Sequence, residues 1–259
     1  MATPDMETLF IGRQRFELEE LESTNAYAQE LIKNGIASEG ASVLVRNQTR
    51  GRGQRGASWE SEPGKNLTVS IVLYPSFLPA HEQFFLSRIT ALALADMLRS
   101  IPGLDPGTVK IKWPNDIYAG DRKVAGILIE NSWRGTELSA SVVGVGLNIN
   151  QESFHTAPQA ASLKMLGAGT SDIRNVEENM YSCLEARYLQ LRSGKKSRIL
   201  SDYHALLYRL GEWHVYFKDG EAFNAIIEGV SDSGKLRLKR DDGSLREFDL
   251  KEIRYNNLS

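Results

Sequence analysis

Cysteine is almost absent from this chain. Cys183 stands alone among 259 residues, so an internal disulfide is impossible and a reducing compartment is expected. It lies at helical spacing with Met180, Leu184 and Leu191, which reads as core packing rather than as a reactive thiol. Histidine is scarce too, and His81, His155, His204 and His214 show no metal-ligand spacing. No stretch reaches the ~20 apolar residues of a membrane-spanning helix, and residues 1–7, with Asp5 and Glu7, lack the apolar core of a signal peptide. A cytoplasmic protein with no membrane partner is expected. Neither sign of charge dominates: 31 Lys and Arg face 33 Asp and Glu, a net charge of −2. That balance argues against non-specific nucleic-acid binding, so electrostatics must act locally. Internal repeats and low-complexity tracts are also missing.

What is present is an ordinary globular composition, with 41% hydrophobic and 25% charged residues. Phe16 and Leu18 alternate with polar residues as in a short strand. Ser23-Thr24-Asn25 then supplies capping chemistry for a helix carrying Tyr27, Ala28, Leu31 and Ile32 and closed by Gly35. Strands are expected over 41–46 and 67–74, flanking a loop dense in Gly and Arg. Over 80–101, Phe84, Phe85, Ile89, Leu92, Ala93 and Leu98 recur at three- and four-residue intervals, the period of a helix with one apolar face. Strands follow over 109–113, 124–133 and 138–149, then helices over 173–191 and 197–210. After Gly211 short strands alternate with Lys218-Asp219-Gly220, Asp232-Ser233-Gly234 and Asp241-Asp242-Gly243 turns, the spacing of a small antiparallel barrel. Regular βαβ alternation is lacking. The reading is an α+β fold with a mixed, largely antiparallel sheet over residues 1–208 and a small C-terminal β-barrel over 209–259. An exposed edge over 138–143 would suit pairing into a homodimer.

Three stretches carry chemistry. Gly51, Gly53 and Gly56 fit G-x-G-x-x-G, but a strand follows them instead of a helix, and no acid lies at the dinucleotide position. Ala57-Ser58 also stands where a phosphate-binding P-loop needs Lys-Ser/Thr. What remains is a loop whose backbone can approach a ligand while Arg50, Arg52 and Arg55 offer guanidinium groups, a combination suited to phosphate. The alternative is a solvated loop. Three like charges predict a loop that is mobile when empty and ordered by an anion. The second stretch runs through Lys112-Trp113-Pro114-Asn115-Asp116 to Arg122-Lys123. If Asp116 and Lys123 share a cleft they could bind a magnesium nucleotide; otherwise the first caps a turn and the second is a solvated strand start. In the third, Gly144 and Gly146 interrupt an apolar strand, which marks close approach of either a ligand or a packed element.

Taken in order, Glu22-Ser23-Thr24-Asn25, Gln48 with Gly51-Arg52-Gly53, Trp59-Glu60-Ser61, Lys112 to Asp116, Arg122-Lys123-Val124-Ala125-Gly126-Ile127-Leu128 and Gly144-Val145-Gly146-Leu147-Asn148 resemble the biotin protein ligases of the short type. The resemblance implies a catalytic domain akin to class II aminoacyl-tRNA synthetases and lipoate ligases. It further implies that biotin is activated with ATP and Mg2+ to biotinyl-5'-AMP, then passed to a lysine of a biotin carboxyl carrier protein. By motif match, Ser23, Thr24 and Gln48 meet the ureido ring, with Asn25 and Gly51 beside them, and Gly126, Leu128 and Gly144 line the biotin pocket. Arg52 and Lys123 meet the carboxylate and α-phosphate. Arg50, Arg55, Trp59 and Asn148 serve ATP, and Asp116 assists adenylation and acceptor-lysine attack, with any Mg2+ nearby. Many members carry a second arginine where Gln54 stands here, and a neutral amide cannot neutralise phosphate. Retention of the adenylate would then fall to Arg50 or Arg55. The chain opens almost directly on the catalytic motifs, so a DNA-binding repressor module, and with it a nucleic-acid partner, is not expected. A lipoate ligase on the same scaffold and a non-catalytic biotin- or nucleotide-binding regulator are the alternatives. Asp116 with Lys123 argues against the regulator.

Overall fold

The computed structural model describes residues 8–250 and 252–255; the targeting signal sought in residues 1–7 falls outside them. Strand β1 (Arg15–Leu21) runs parallel to β2 (Ser42–Gln48). Parallel neighbours need a crossover, and α1 (Thr24–Lys33) supplies it, with Ser23 Oγ accepting from the Ala26 N–H at 3.4 Å as the N-cap. β3 (Leu67–Leu73) follows, then α2 (Phe84–Arg99), β4 (Val109–Lys112), β5 (Asp116–Ala119), β6 (Arg122–Arg134) and β7 (Glu137–Leu147). The seven strands are ordered β1-β2-β3-β7-β6-β5-β4, and every ladder after the first is antiparallel. The mixed, largely antiparallel sheet is therefore as expected. The expected free edge holds only in part: β3 covers β7 from Ser141 to Leu147, so 141–143 lie inside the sheet, while Leu138 and Ala140 pair with β6 alone.

Period-two alternation divides the sheet into unlike faces. Val69, Ile71 and Leu73 of β3, Val143, Val145 and Leu147 of β7, and Ala125 and Ile127 of β6 join one core with Ile89 and Leu92 of α2. Met180, Leu184 and Tyr188 of α3 (Ile173–Arg192) complete it. Cys183 packs against this core, and burial pushes its thiol up to about 11, out of reactive range. On the other face the same strands carry Thr68, Ser70, Gly126, Leu128, Gly144 and Gly146. There α1 covers one corner only, packing Ala28 and Leu31 on Val43, Val72 and Val142. The uncovered part of that face is the floor of a cleft.

Helix α4 (Lys196–Ala205) stops short of the expected Leu210. The Ile111 N–H donates to the Leu206 carbonyl at 2.7 Å, and the Tyr208 N–H donates to the Ile111 carbonyl at 2.9 Å. The edge strand β4 thus takes up the backbone groups that a further helical turn would have used. Beyond it β8 (Trp213–Lys218), β9 (Glu221–Val230), β10 (Leu236–Arg240), β11 (Leu245–Phe248) and β12 (Arg254–Tyr255) form an antiparallel sheet in the order β11-β10-β9-β8-β12. Among the described residues β11 and β12 do not pair, so this is an open five-stranded sheet where a closed barrel was expected. It is pinned to the larger sheet. Arg88 of α2, fully buried, donates to the carbonyls of Ser231 and Asp232, and Trp113 Nε1 donates to the Gly234 carbonyl at 2.9 Å.

Candidate active site

Register builds the cleft floor. Thr68, Gly146, Gly126 and Asp116 stand opposite one another across β3, β7, β6 and β5, and Ser70, Gly144 and Leu128 make the next row. A Cβ on Gly146 would lie 2.4 Å from the Trp59 indole and one on Gly126 3.2 Å from it. Glycine is needed there because the ring rests against these strands. In the β5–β6 ladder the register shifts between Ile117 and Tyr118. Val124 and Ala125, consecutive in sequence, both enter the core, so the extra residue of this bulge turns Lys123 onto the Gly126 side. Lys123 Nζ then lies 2.6 Å from Asp116 Oδ1. That contact is one of charge; the same oxygen has no aligned hydrogen-bond donor.

The opposite end is a closed hydrogen-bond system at the start of α1. Gln48 Oε1 accepts from the Thr24 N–H at 2.9 Å. Ser70 Oγ lies 2.7 Å from Thr24 Oγ1 and 2.6 Å from Asn25 Oδ1. Asn25 Nδ2 donates to Glu130 Oε2 at 2.7 Å and to the Leu128 carbonyl at 3.2 Å. Thr24, Asn25 and Ser70 are all buried.

Over this floor the glycine-arginine loop folds back as a small hairpin. Arg52 bridges Ser58, the Gly53 N–H donates to the Ala57 carbonyl, and the Trp59 N–H donates to the Gly51 carbonyl at 3.0 Å, around a 3-10 turn at Gln54–Gly56. Behind Asp116, on β4, Lys112 is buried. Its Nζ donates to the Tyr118 hydroxyl at 3.0 Å and sits 4.9 Å from the centre of the Tyr255 ring. Desolvation brings its ammonium down to about 8, although Asp116 favours the charged form.

One cleft thus joins amides and hydroxyls, a glycine waist and a cation-carboxylate pair. Residues 18–148 match the Biotin/lipoate A/B protein ligase family. The chain belongs to that family. It is 34% identical to the biotin–[acetyl-CoA-carboxylase] ligase of Paracoccus denitrificans, over 86% of this chain and 92% of that one. To the Mycobacterium tuberculosis protein of the same name it is 30% identical, over 83% and 79%. In fold it is similar to the biotin protein ligase of Aquifex aeolicus in complex with biotin and ATP. There the TM-score is 0.77 and the identity 23%, over 94% of this chain and 100% of that one.

Of the residues singled out in the sequence, Ser23, Thr24, Asn25, Gln48, Arg52, Trp59, Asp116, Lys123, Gly126, Leu128 and Gly144 line this single cleft, with Gln54 and Asn115. Others are elsewhere. Arg50 pairs with Glu22 at 3.3 Å on the exposed surface. Asn148 is buried, its Nδ2 donating to the Ala161 carbonyl at 3.3 Å. Gly51 serves the loop itself, since a Cβ there would lie 2.5 Å from the Trp59 carbonyl. The Arg55 side chain lies outside the described residues. Ser70 and Glu130 were overlooked in the sequence; the signal was a serine and a glutamate on the small-residue face of strands whose alternate residues are aliphatic.

Proposed function

We infer that the protein is a biotin–[acetyl-CoA-carboxylase] ligase, which activates biotin with ATP and attaches it to acetyl-CoA carboxylase. The observation that carries this reading is the polarity of one cleft in a chain of this family. Amides and a hydroxyl suited to a ureido ring lie at one end, a waist of small residues suits an apolar tail, the Lys123–Asp116 pair lies at the other end, and Arg52 also lines the cleft.

In the first step a carboxylate oxygen of biotin attacks the α-phosphorus of ATP, and the bond to pyrophosphate breaks. Two anions meet, and the Arg52 guanidinium and Lys123 ammonium offset their repulsion. Lys123 does so by exchanging Asp116 for phosphate oxygen. In the second step the acceptor amine attacks the acyl carbon and the bond to AMP breaks. An amine whose ordinary pKa is about 10.4 must arrive neutral. Asp116, released from Lys123, is placed to orient it and take its proton. The acceptor lysine belongs, in this reading, to a biotin carboxyl carrier domain.

Magnesium fits as a companion of the nucleotide. Among the described residues no three His, Cys, Asp or Glu side chains cluster to hold a metal, and Asp116 is the carboxylate lining the cleft. One carboxylate suits an ion held chiefly by phosphate and water, and when bound it would neutralise phosphate charge. Residues 1–208 would then be the catalytic unit and 209–259 an accessory one, working in the cytoplasm. Carboxylic-acid-dependent ATP–pyrophosphate exchange tests the reading. Biotin is expected to support exchange while lipoate and octanoate do not; exchange with lipoate and not biotin would overturn it.

A further inference from the structure

Glu130 does not line the cleft, yet it is the origin of the hydrogen-bond chain that reaches it. Register places Glu130 opposite Val142 on β7, two residues beyond Leu128 on the same face of β6. A carboxylate can only accept, and so can the Leu128 carbonyl. With both acceptors in reach, Asn25 must turn its nitrogen toward them, at 2.7 and 3.2 Å. Its Oδ1 is thereby left facing Ser70. Gly144 leaves room for that oxygen, since a Cβ there would lie 2.3 Å away.

The consequence travels one atom at a time. Ser70 has one proton and two oxygens within 2.7 Å, Asn25 Oδ1 and Thr24 Oγ1. The amide oxygen can only accept, so it takes the proton. Thr24 must then send its own proton into the protein, to Ser70 Oγ at 2.7 Å or to Gln48 Oε1 at 3.3 Å. The side of Thr24 that meets the cleft is therefore a lone pair. Gln48 is fixed separately by the Thr24 N–H, which holds its oxygen and leaves its amide nitrogen for a ligand carbonyl. Were Asn25 reversed, Ser70 would donate to Thr24, and the Thr24 proton would be free to face the ligand.

We propose that Glu130 is a positioning residue that fixes the direction of the Thr24 hydroxyl, so that the cleft selects a cyclic urea through its N–H. This rests on the biotin reading above and adds the group of the ligand that Thr24 meets. Neither Glu130 nor Ser70 touches the ligand. Their effect belongs to binding of the ring, not to ATP or to the reacting atoms.

The test uses the full chain and titration calorimetry without ATP, comparing biotin with biotins methylated on either ureido nitrogen. Glu130→Leu is expected to weaken biotin about tenfold to a hundredfold, the scale of a lost hydrogen bond to a charged group. It should also narrow the preference for biotin over the methylated ring, while the KM for ATP in pyrophosphate exchange at saturating biotin stays within about twofold. Glu130→Gln, which keeps an acceptor, should recover binding to within about fivefold of wild type. Ser70→Ala cuts the same chain at a different residue and should reproduce the narrowed preference, including where Glu130→Leu melts too low to be titrated. Unchanged biotin affinity and preference in the variants overturns the inference, as does equal loss of biotin and ATP. A wild type that does not bind biotin is a separate result, which overturns the functional reading and this inference with it.

Discussion

At the α1 end of the cleft the side chains of Thr24, Asn25, Ser70 and Gln48 are locked to one another or to the sheet before a ligand arrives, with the Gln48 amide nitrogen left to meet it. At the Asp116 end the charges are held provisionally. Lys123 contacts Asp116 without hydrogen-bond alignment, and Arg52 has no ionic partner among the described residues. The contrast separates two tasks. A ring is recognised by groups that must not move, so neighbours saturate them. A phosphate is attacked among groups that must change partners, so they are paired only loosely.

Lys123→Ala should break the reacting end alone. Pyrophosphate exchange is expected to slow about a hundredfold or more, the scale of one lost electrostatic stabiliser, with biotin affinity and melting temperature close to wild type. A normal exchange rate would make Lys123 a solvated strand start. Within the glycine-arginine loop, Arg52→Ala should slow exchange about tenfold to a hundredfold. Arg50→Ala should change it less than about twofold, because an exposed pair such as Arg50–Glu22 contributes little. Equal losses would mean that Arg50 swings into the cleft once a nucleotide is bound.

Gln54→Arg sharpens the contrast from the other side. The Gln54 side chain lines the cleft and its Oε1 is buried without a partner. A guanidinium there should slow release of biotinyl-5'-AMP about tenfold, as measured by trapping released adenylate. The smallest effect concerns stability. Burial favours the neutral form of Lys112, whose folded value is about 8 against an ordinary 10.5. Below pH 8 the penalty for its charge is fully present. Between pH 8 and 10.5 the unfolded chain binds more protons than the folded one, so this group makes the protein more stable as pH rises. Lys112→Met should therefore gain most over wild type near pH 7 in thermal melts and lose that lead toward pH 10.5. A constant difference would mean that Lys112 titrates normally.

The elements with strong periodicity were legible in the sequence: α2 and α3 through their apolar faces, β3 and β7 through their aliphatic runs, and α1 through its Ser23 cap. β5 was missed because Trp113-Pro114-Asn115 lies between two strands of four residues each, and so short a hairpin around a proline reads as a turn. The end of α4 was set by Ile111, some hundred residues earlier, which no local pattern could reveal. Most of the residues named for the site do meet in the cleft. The paired role of Lys123, however, depends on a bulge, and bulges leave no mark in an apolar run. Glu130 was invisible for a related reason. Its meaning lies in which residues stand beside it across the sheet, and register is a property of the fold, not of the segment.

The grip of Arg88 on the turn after β9 bears on anyone seeking a smaller version of this protein. Cutting the chain near residue 209 would look natural, since a sheet of its own begins there. Yet the cut would strip the Ser231 and Asp232 carbonyls from a guanidinium that has no exposure to water. Facing Phe84, Phe85 and Tyr203 on the helix side, that charge would lose its carbonyl partners on the other. A hydrogen bond to a charged group contributes about 1.5–3 kcal/mol, so this loss is a large share of the stability of an ordinary domain. The C-terminal sheet is thus less an appendix than a keystone, and a trimmed enzyme would first need an aliphatic residue in place of Arg88.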